Sequence, residues 1–232
     1  MEDYKVSPFN RIPPVVLAIA ALALGIEIVF QLGAAGLIGG ASGVGLRIRA
    51  YQEWSFVAPY WQQLSAAGRF PPEDMARFVT FSFLHARAFD AFFATALFVA
   101  LGKGVSDSMT PWAVPVIFIV SSAAGALAYG TFIESNVPLS SLFTVNFGLI
   151  GAITYIRALN LKDAGQNQLL ALKLIGLFMV FRLVWGIVAA IMGWEQDYQW
   201  VSELTGFFVG LLLCFIFEPR GRTVLIEIIR RR

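Results

Sequence analysis

Residues 138–158 read PLSSLFTVNFGLIGAITYIRA, and this apolar stretch indicates how the chain folds. It can cross the roughly 30 Å hydrocarbon core of a bilayer, which takes about 20 residues of helix. Thr144, Gly148 and Ala152 recur at every fourth position, so they share one helix face. Because small residues let helix backbones approach closely, this spacing predicts a central helix packed on several sides.

The whole chain has the composition of a protein whose solvent is lipid. Hydrophobic residues make up 58% and charged residues 14%, against about 25% charged residues in soluble domains. We predict six spans, all helical because unpaired backbone groups are not tolerated in lipid. The predicted spans are residues 13–38, 77–101, 112–133, 138–158, 169–192 and 200–218. They form one membrane domain, 13–218, between a cytoplasmic N-terminus, 1–12, and a basic tail, 219–232. Gly102 and Gly104 are expected to end the second span.

The first loop, residues 39–76, is the longest connection. Trp54, Val57, Trp61 and Leu64 recur in it at helical spacing. Trp and Tyr favour the headgroup boundary, so one interpretation is an amphipathic helix over 50–66 that lies in the interface. An ordinary loop helix packed on the bundle is an equal alternative.

Basic residues in short loops predict the orientation of the chain in the membrane. The loop 157–173 and the tail are basic, whereas the last loop carries Glu195 and Asp197 and no cation. We therefore expect both termini in the cytoplasm, most simply of a bacterial inner membrane. The first loop opposes this assignment with Arg47, Arg49, Arg69 and Arg77. Anionic lipid headgroups are the expected partners of the tail cations Arg220, Arg222, Arg230, Arg231 and Arg232.

Four ionisable residues lie inside predicted spans, where charge is costly and usually faces protein or water. They are Glu27, Asp90, Arg182 and Glu203, with the neutral residues Gln31 and Asn146 beside them. Glu27 and Gln31 share a helix face. Arg182 keeps its charge, so it is expected to find a carboxylate, although the sequence does not say which one. A packing ion pair and a transport pathway are both open interpretations.

Several catalytic chemistries lack their usual residues. His85 is the only histidine and Cys214 the only cysteine, which excludes an internal disulfide. A net charge of +2 is too small to indicate nucleic-acid binding. Bond breaking inside a bilayer generally needs histidine or clustered carboxylates, so the position of His85 limits what the protein can do. No metal and no cofactor are expected.

The order of several motifs resembles the rhomboid family of intramembrane serine proteases, over about residues 13–218. After the long first loop comes RFVTFSFLH at 77–85, with Leu101-Gly102 at the end of that span. Pro138 and Gly148-x-x-Gly151-Ala152 follow in the fourth span, and Gly206-x-x-x-Gly210 lies in the last span. The resemblance implies a six-helix rhomboid-like bundle. It also implies a serine nucleophile in the fourth span, a histidine base in the sixth and a His-x-x-x-Asn oxyanion motif in the second.

The catalytic residues of that family do not carry over to this chain. Phe143 falls on the nucleophile, with Ser141 and Thr144 at the flanking glycines. Glu203 falls on the base, and Asp90 and Ala94 fall on the oxyanion motif. His85 matches a histidine that is structural in the family, and Asn146 is a further remnant of the polar site.

The resemblance therefore implies a catalytically inactive relative. Its expected function is to bind transmembrane segments of partner proteins, in assembly, stabilisation or quality control of a membrane complex. By resemblance, a client helix would enter between the second and fifth spans. The candidate contacts are Asp90, Phe93, Leu97, Phe178, Phe181 and Arg182.

Four alternatives stand beside this expectation. The first is a protease with an atypical site, built from Ser140, Ser141 or Thr144. The second is a metal site, with Asp90, Glu203 and His85 gathered near Phe143. The others are a fixed structural subunit of a membrane complex and a small transporter.

Overall fold

The computed structural model describes residues 12–193 and 198–217, and in these ranges the regular structure is helical. The helices are α1 (Pro14–Ala34), α2 (Gly40–Gly43), α3 (Leu46–Trp54), α4 (Ala58–Ala66), α5 (Pro72–Thr80), α6 (Ala88–Ser108), α7 (Ala113–Phe132), α8 (Phe143–Asp163), α9 (Lys173–Ile191) and α10 (Trp200–Phe217). Short 3₁₀ turns, Phe81–Phe83 and Gln168–Leu172, precede α6 and α9. The predicted all-α architecture is confirmed.

Four helices in the described ranges are long and apolar enough to cross a membrane. They are α1, α6, α7 and Gln168–Ala189, which joins the second 3₁₀ turn to α9. Within α10, the segment Trp200–Cys214 is a shorter apolar helix. The protein is therefore a multi-pass membrane protein, whereas the count of six spans stays a prediction.

The centre of the bundle is α8, as the small-residue spacing predicted. Its residues 144–152 are all buried, because α10 and α7 cover one side and α6 another. Glycines bring α10 very close: a Cβ on Gly206 would overlap the carbonyl of Thr144, and one on Gly210 the carbonyl of Gly148. A helix enclosed by other helices needs less apolar side-chain surface than one facing lipid.

The second predicted span is wrong at both ends, because α6 covers 88–108 instead of 77–101. The apolar run before it folds into the protein, where Phe81 and Leu84 are buried. At the other end, the helix continues through Gly102 and Gly104 to Ser108. A Cβ on Gly102 would press on Val16 of α1, so this glycine permits close helix packing and does not end the helix.

The single helix predicted over 50–66 is also wrong. It is divided into α3 and α4 at Ser55–Val57, where Phe56 forms an isolated antiparallel bridge with Leu139. After this break, α4 packs on α7, and the ring of Trp61 lies against Gly130 and Phe78. This geometry favours the alternative of a loop helix packed on the bundle.

Candidate functional site

The residue at the predicted nucleophile position begins α8. Phe143 is half-buried, and its ring centroid lies 6.2 Å from that of Phe93 on α6. One turn later, Phe147 packs edge-on against Phe178 of α9, at 5.6 Å. The face of α8 that carries Phe143 and Phe147 is thus bordered by α6 on one side and α9 on the other. Aromatic side chains fill it, and they offer no nucleophilic atom.

Two positions earlier, Ser141 has a backbone conformation that favours glycine. Its φ is 96°, and it is the non-glycine residue with positive φ in the described ranges. Its N–H donates to the carbonyl of Phe81 over 3.1 Å, which holds the turn on the 3₁₀ segment. The serine therefore keeps a strained backbone turn that suits glycine better.

Glu203, at the predicted base position, forms an ion pair with Arg182. The Nε of Arg182 donates to Oε2 of Glu203 over 2.7 Å, and a terminal guanidinium nitrogen donates to Oε1. The Glu203 side chain is 3% exposed and that of Arg182 is 22% exposed. This two-point contact joins α9 to the first turn of α10. Glu203 is thus the carboxylate partner of Arg182, which the sequence alone did not identify.

The residues at the two predicted oxyanion-motif positions have other partners. Asp90 lies at the start of α6 and binds Arg87, three residues earlier, over 2.9 Å. Ala94 is buried, and its carbonyl accepts a 2.9 Å hydrogen bond from Nδ2 of Asn146. Asn146 thus ties α8 to α6.

The metal site considered from the sequence is absent from the described part of the chain. No group of three His, Cys, Asp or Glu side chains there could hold a metal ion. Asp90 and Glu203 each bind a different arginine, and the side chain of His85 accepts the N–H of Leu142. The three candidate ligands are therefore engaged in separate contacts.

A second buried ion pair joins α1 to the first loop. Glu27 is 7% exposed and accepts from Arg47 at 2.6 Å and 3.0 Å, and from Gln31 at 2.7 Å. Arg47 also donates to the carbonyl of His85 and lies over the ring of Phe30. In the sequence, Arg47 contributes only to the prediction of membrane orientation. Its partner is twenty positions away, and no periodic pattern links the two.

His85 is buried between these segments, just before α6. Its Nε2 accepts the backbone N–H of Leu142 over 3.4 Å, at the residue that precedes α8. Burial lowers the pKa of His85, since a charged imidazolium would lose its hydration there. The side chain therefore contacts the turn before α8 as a neutral acceptor.

A comparison with protein families adds to this geometry. The model of the Rhomboid domain matches residues 72–220, which is more than half of the chain.

The chain belongs to the rhomboid family.

A comparison with curated proteins gave no match. The rhomboid match covers α5 to α10 together with the 3₁₀ turns and loops between them. It therefore includes Phe143, Glu203, Asp90 and Ala94. Membership shows the fold, whereas activity depends on the residues at the site.

The candidate client contacts of the rhomboid bundle lie on α6 and α9. Phe93 is 48% exposed and Phe181 is 65% exposed, whereas Leu97 and Phe178 are half-buried. Asp90 remains partly accessible beside Arg87. These side chains therefore form two flanks of the aromatic face of α8, and Arg182 lies one turn beyond Phe178.

A cleft of about 400 Å³, not predicted from the sequence, opens between α3 and the loop before α8. Arg47, Tyr51, Ala86 and Pro138 contribute to its lining. The Tyr51 hydroxyl contacts Oγ of Ser140 at 3.2 Å, and burial raises the tyrosine pKa. This contact engages one of the serines considered for an atypical protease site.

Other predicted residues lie outside the described part of the rhomboid chain. These are the N-terminal residues 1–11, Glu195 and Asp197 of the last loop, and the tail cations Arg220, Arg222, Arg230, Arg231 and Arg232. The predicted contacts of the tail cations with lipid headgroups therefore stay predictions.

Proposed function

We propose that this rhomboid-family protein is non-catalytic and binds transmembrane segments of partner proteins. Its role would be to assemble, stabilise or survey a membrane complex. The observation that carries the proposal is the ion pair of Glu203 with Arg182. A carboxylate held by two hydrogen bonds to a guanidinium stands where the family has its base, and Phe143 stands where it has its nucleophile.

Two of the neighbouring hydroxyls have other partners, which supports the proposal that no substitute dyad replaces the family's site. Ser140 is bound by Tyr51, and Thr144 shares a 2.9 Å hydrogen bond with Ser202. The Nε2 of His85 faces the backbone N–H of Leu142. A serine nucleophile needs a base within hydrogen-bond reach, and these contacts supply none to Ser140 or Thr144.

Labelling with a fluorophosphonate tests the non-catalytic part. The purified protein in mild detergent would be treated with the probe, beside an active rhomboid protease as the positive control. We expect labelling of the control and background signal from this chain. Labelling that disappears in a Ser140→Ala or Ser141→Ala variant would establish the atypical protease instead.

Site-specific photocrosslinking in native membranes tests the binding part. A photoreactive amino acid would replace Phe93 on α6 or Phe181 on α9, which belong to the candidate client contacts. Ile119 and Leu127 on α7 are the matched control positions, since both are also exposed. We expect discrete protein adducts from the α6 and α9 positions only. The same yield of protein adducts from all four positions would contradict a client-binding surface formed by α6 and α9.

The stoichiometry of copurification separates a binder from a fixed subunit. After extraction in mild detergent, a client-binding protein would retain partners at less than one copy per chain. A constant one-to-one ratio with one partner would favour the structural subunit. The transporter alternative gains no support from the paired states of Glu27 and Glu203.

The proposed location is a bacterial inner membrane with both termini in the cytoplasm. The support is the basic character of loop 157–173 and of the tail. Fusions of a periplasmic phosphatase and a cytoplasmic fluorescent reporter after residue 232 test it. We expect fluorescence and no phosphatase activity. The reverse result would show that the C-terminus lies in the periplasm and would contradict the proposed orientation.

A further inference from the structure

Among the candidate membrane helices of the described part, the helix that contains α9 is the least buried. In its most apolar window, within Gln168–Ala189, 12% of the residues are buried inside the protein, against 28% for α1, 39% for α6 and 56% for α7. Its outer residues Leu177, Val180 and Val184 are more than half exposed. Such a helix can move away from the bundle at the loss of few packing contacts.

The inward face of α9 contains one charged residue. Ile175, Phe178, Arg182 and Ala189 recur at spacings of three, four and seven, which places them on the same side. Of these, Ile175 and Ala189 are buried, and Phe178 contacts Phe147. Arg182 thus provides a charged contact between this face and α10.

The two partners of the ion pair differ in accessibility. Glu203 is 3% exposed and enclosed by the bundle, whereas the Arg182 side chain is 22% exposed. A third group approaching from the membrane can therefore reach the guanidinium more easily than the carboxylate. In a medium of low dielectric, such a group must carry a negative charge to compete with Glu203 for Arg182.

Resting on the proposed function, we propose that Arg182 recognises an acidic side chain within the transmembrane segment of a client. The client carboxylate competes with Glu203 for the guanidinium, while Phe93, Phe178 and Phe181 contact the apolar part of the helix. Arg182 favours carboxylates because its planar fork donates two parallel hydrogen bonds. In the absence of a client, Glu203 binds the guanidinium of Arg182 in its place.

Designed transmembrane peptides test this proposal on the full-length protein. Each peptide has about 20 Leu and Ala residues with flanking lysines, and its central residue is Glu, Gln or Lys. Binding to the labelled protein in liposomes is measured by energy transfer. We expect the Glu peptide to bind at least about tenfold more tightly than the Gln peptide, with the Lys peptide weakest.

Variants assign this preference to Arg182. Arg182→Gln should remove the advantage of the Glu peptide, while Arg157→Gln, at an exposed cation elsewhere, should leave it unchanged. The double variant Arg182→Glu with Glu203→Arg retains an ion pair between α9 and α10. It therefore tests the charge preference even if the single variant Arg182→Gln misfolds. It should lose the Glu preference and bind the Lys peptide more tightly.

The outcomes separate this inference from the proposed function. If all three peptides bind equally, recognition by Arg182 is wrong and client binding stands. If the Lys peptide binds wild type best, the accessible group is Glu203 and the inference is overturned. If no peptide binds, both proposals fail together.

Discussion

Arg182 of α9 and Glu203 of α10 form a two-point ion pair, with Nε donating to Oε2 over 2.7 Å. Glu203 lies at the position where the resemblance predicts the catalytic base, and in the structure the pair joins α9 to α10. The position thus keeps a polar residue whose observed partner is a cation on the neighbouring helix.

Breaking this pair from one side is expected to destabilise the protein. Glu203→Ala leaves a poorly hydrated guanidinium, which costs about 3 to 5 kcal/mol in buried pairs. Replacing both residues by leucine should recover most of this loss, because no charge remains inside. Unfolding can be followed by a thiol-reactive dye, since Cys214 is the only cysteine and is buried. Equal losses in the single and double variants would show that the pair does not act as a unit.

The contact between α8 and α10 is expected to tolerate no side chain at Gly210. A Cβ there would overlap the carbonyl of Gly148, so Gly210→Ala should lower stability by about 3 kcal/mol or more. Gly176→Ala on α9 is the matched control, because no atom lies within 4 Å of its Cβ position. This control should be neutral or gain up to about 1 kcal/mol from helix propensity. The same thiol assay measures both variants, and similar losses would place the close contact elsewhere.

Ser141→Gly should stabilise the turn before α8. At a φ of 96°, glycine avoids a strain of about 1 kcal/mol or more that any side chain suffers. Ser141→Ala keeps the strain and serves as the control. A rise in unfolding temperature in the glycine variant alone is the expected result. A rise in both variants would instead assign the effect to the serine hydroxyl.

Stability should fall in mild acid because of His85. Its pKa in the folded protein lies below its ordinary value of 6.5, owing to burial. The unfolded chain therefore binds the proton first as the pH falls below about 6.5, which favours unfolding. The unfolding temperature should be level above this pH and decrease below it.

The variant His85→Gln isolates that effect. Glutamine can still accept the N–H of Leu142 but does not titrate, so the histidine part of the acid slope should vanish. Any slope that remains belongs to other groups. An unchanged slope would mean that His85 is not the responsible group.

Much of the fold could be predicted because membrane helices are defined by local composition. The span predicted at 112–133 corresponds to α7 at Ala113–Phe132, since its apolar run ends where polar residues begin. The spacing of Thr144, Gly148 and Ala152 likewise predicted the buried position of α8. The motif order predicted the family, and a family model that matches residues 72–220 confirms it.

The start of α6 and the division between α3 and α4 could not be predicted in this way. Apolar composition is the same whether a segment faces lipid or the protein interior, so residues 77–87 were assigned to a span. The break at Ser55–Val57 depends on a backbone pair with Leu139, more than eighty positions away. The start of α6 has no local signal, whereas Pro59 in the first turn of α4 is a local signal of the break before it.

The sequence by itself determined which polar residues the membrane domain contains, and by resemblance it predicted which residues occupy the catalytic positions of the family. Only the tertiary structure decided their partners: Glu203 with Arg182, Glu27 with Arg47, and Asp90 with Arg87. Of these pairs, only Asp90 and Arg87 are close along the chain. Packing brings the others together, because each charge in a poorly hydrated interior is stable only beside an opposite charge.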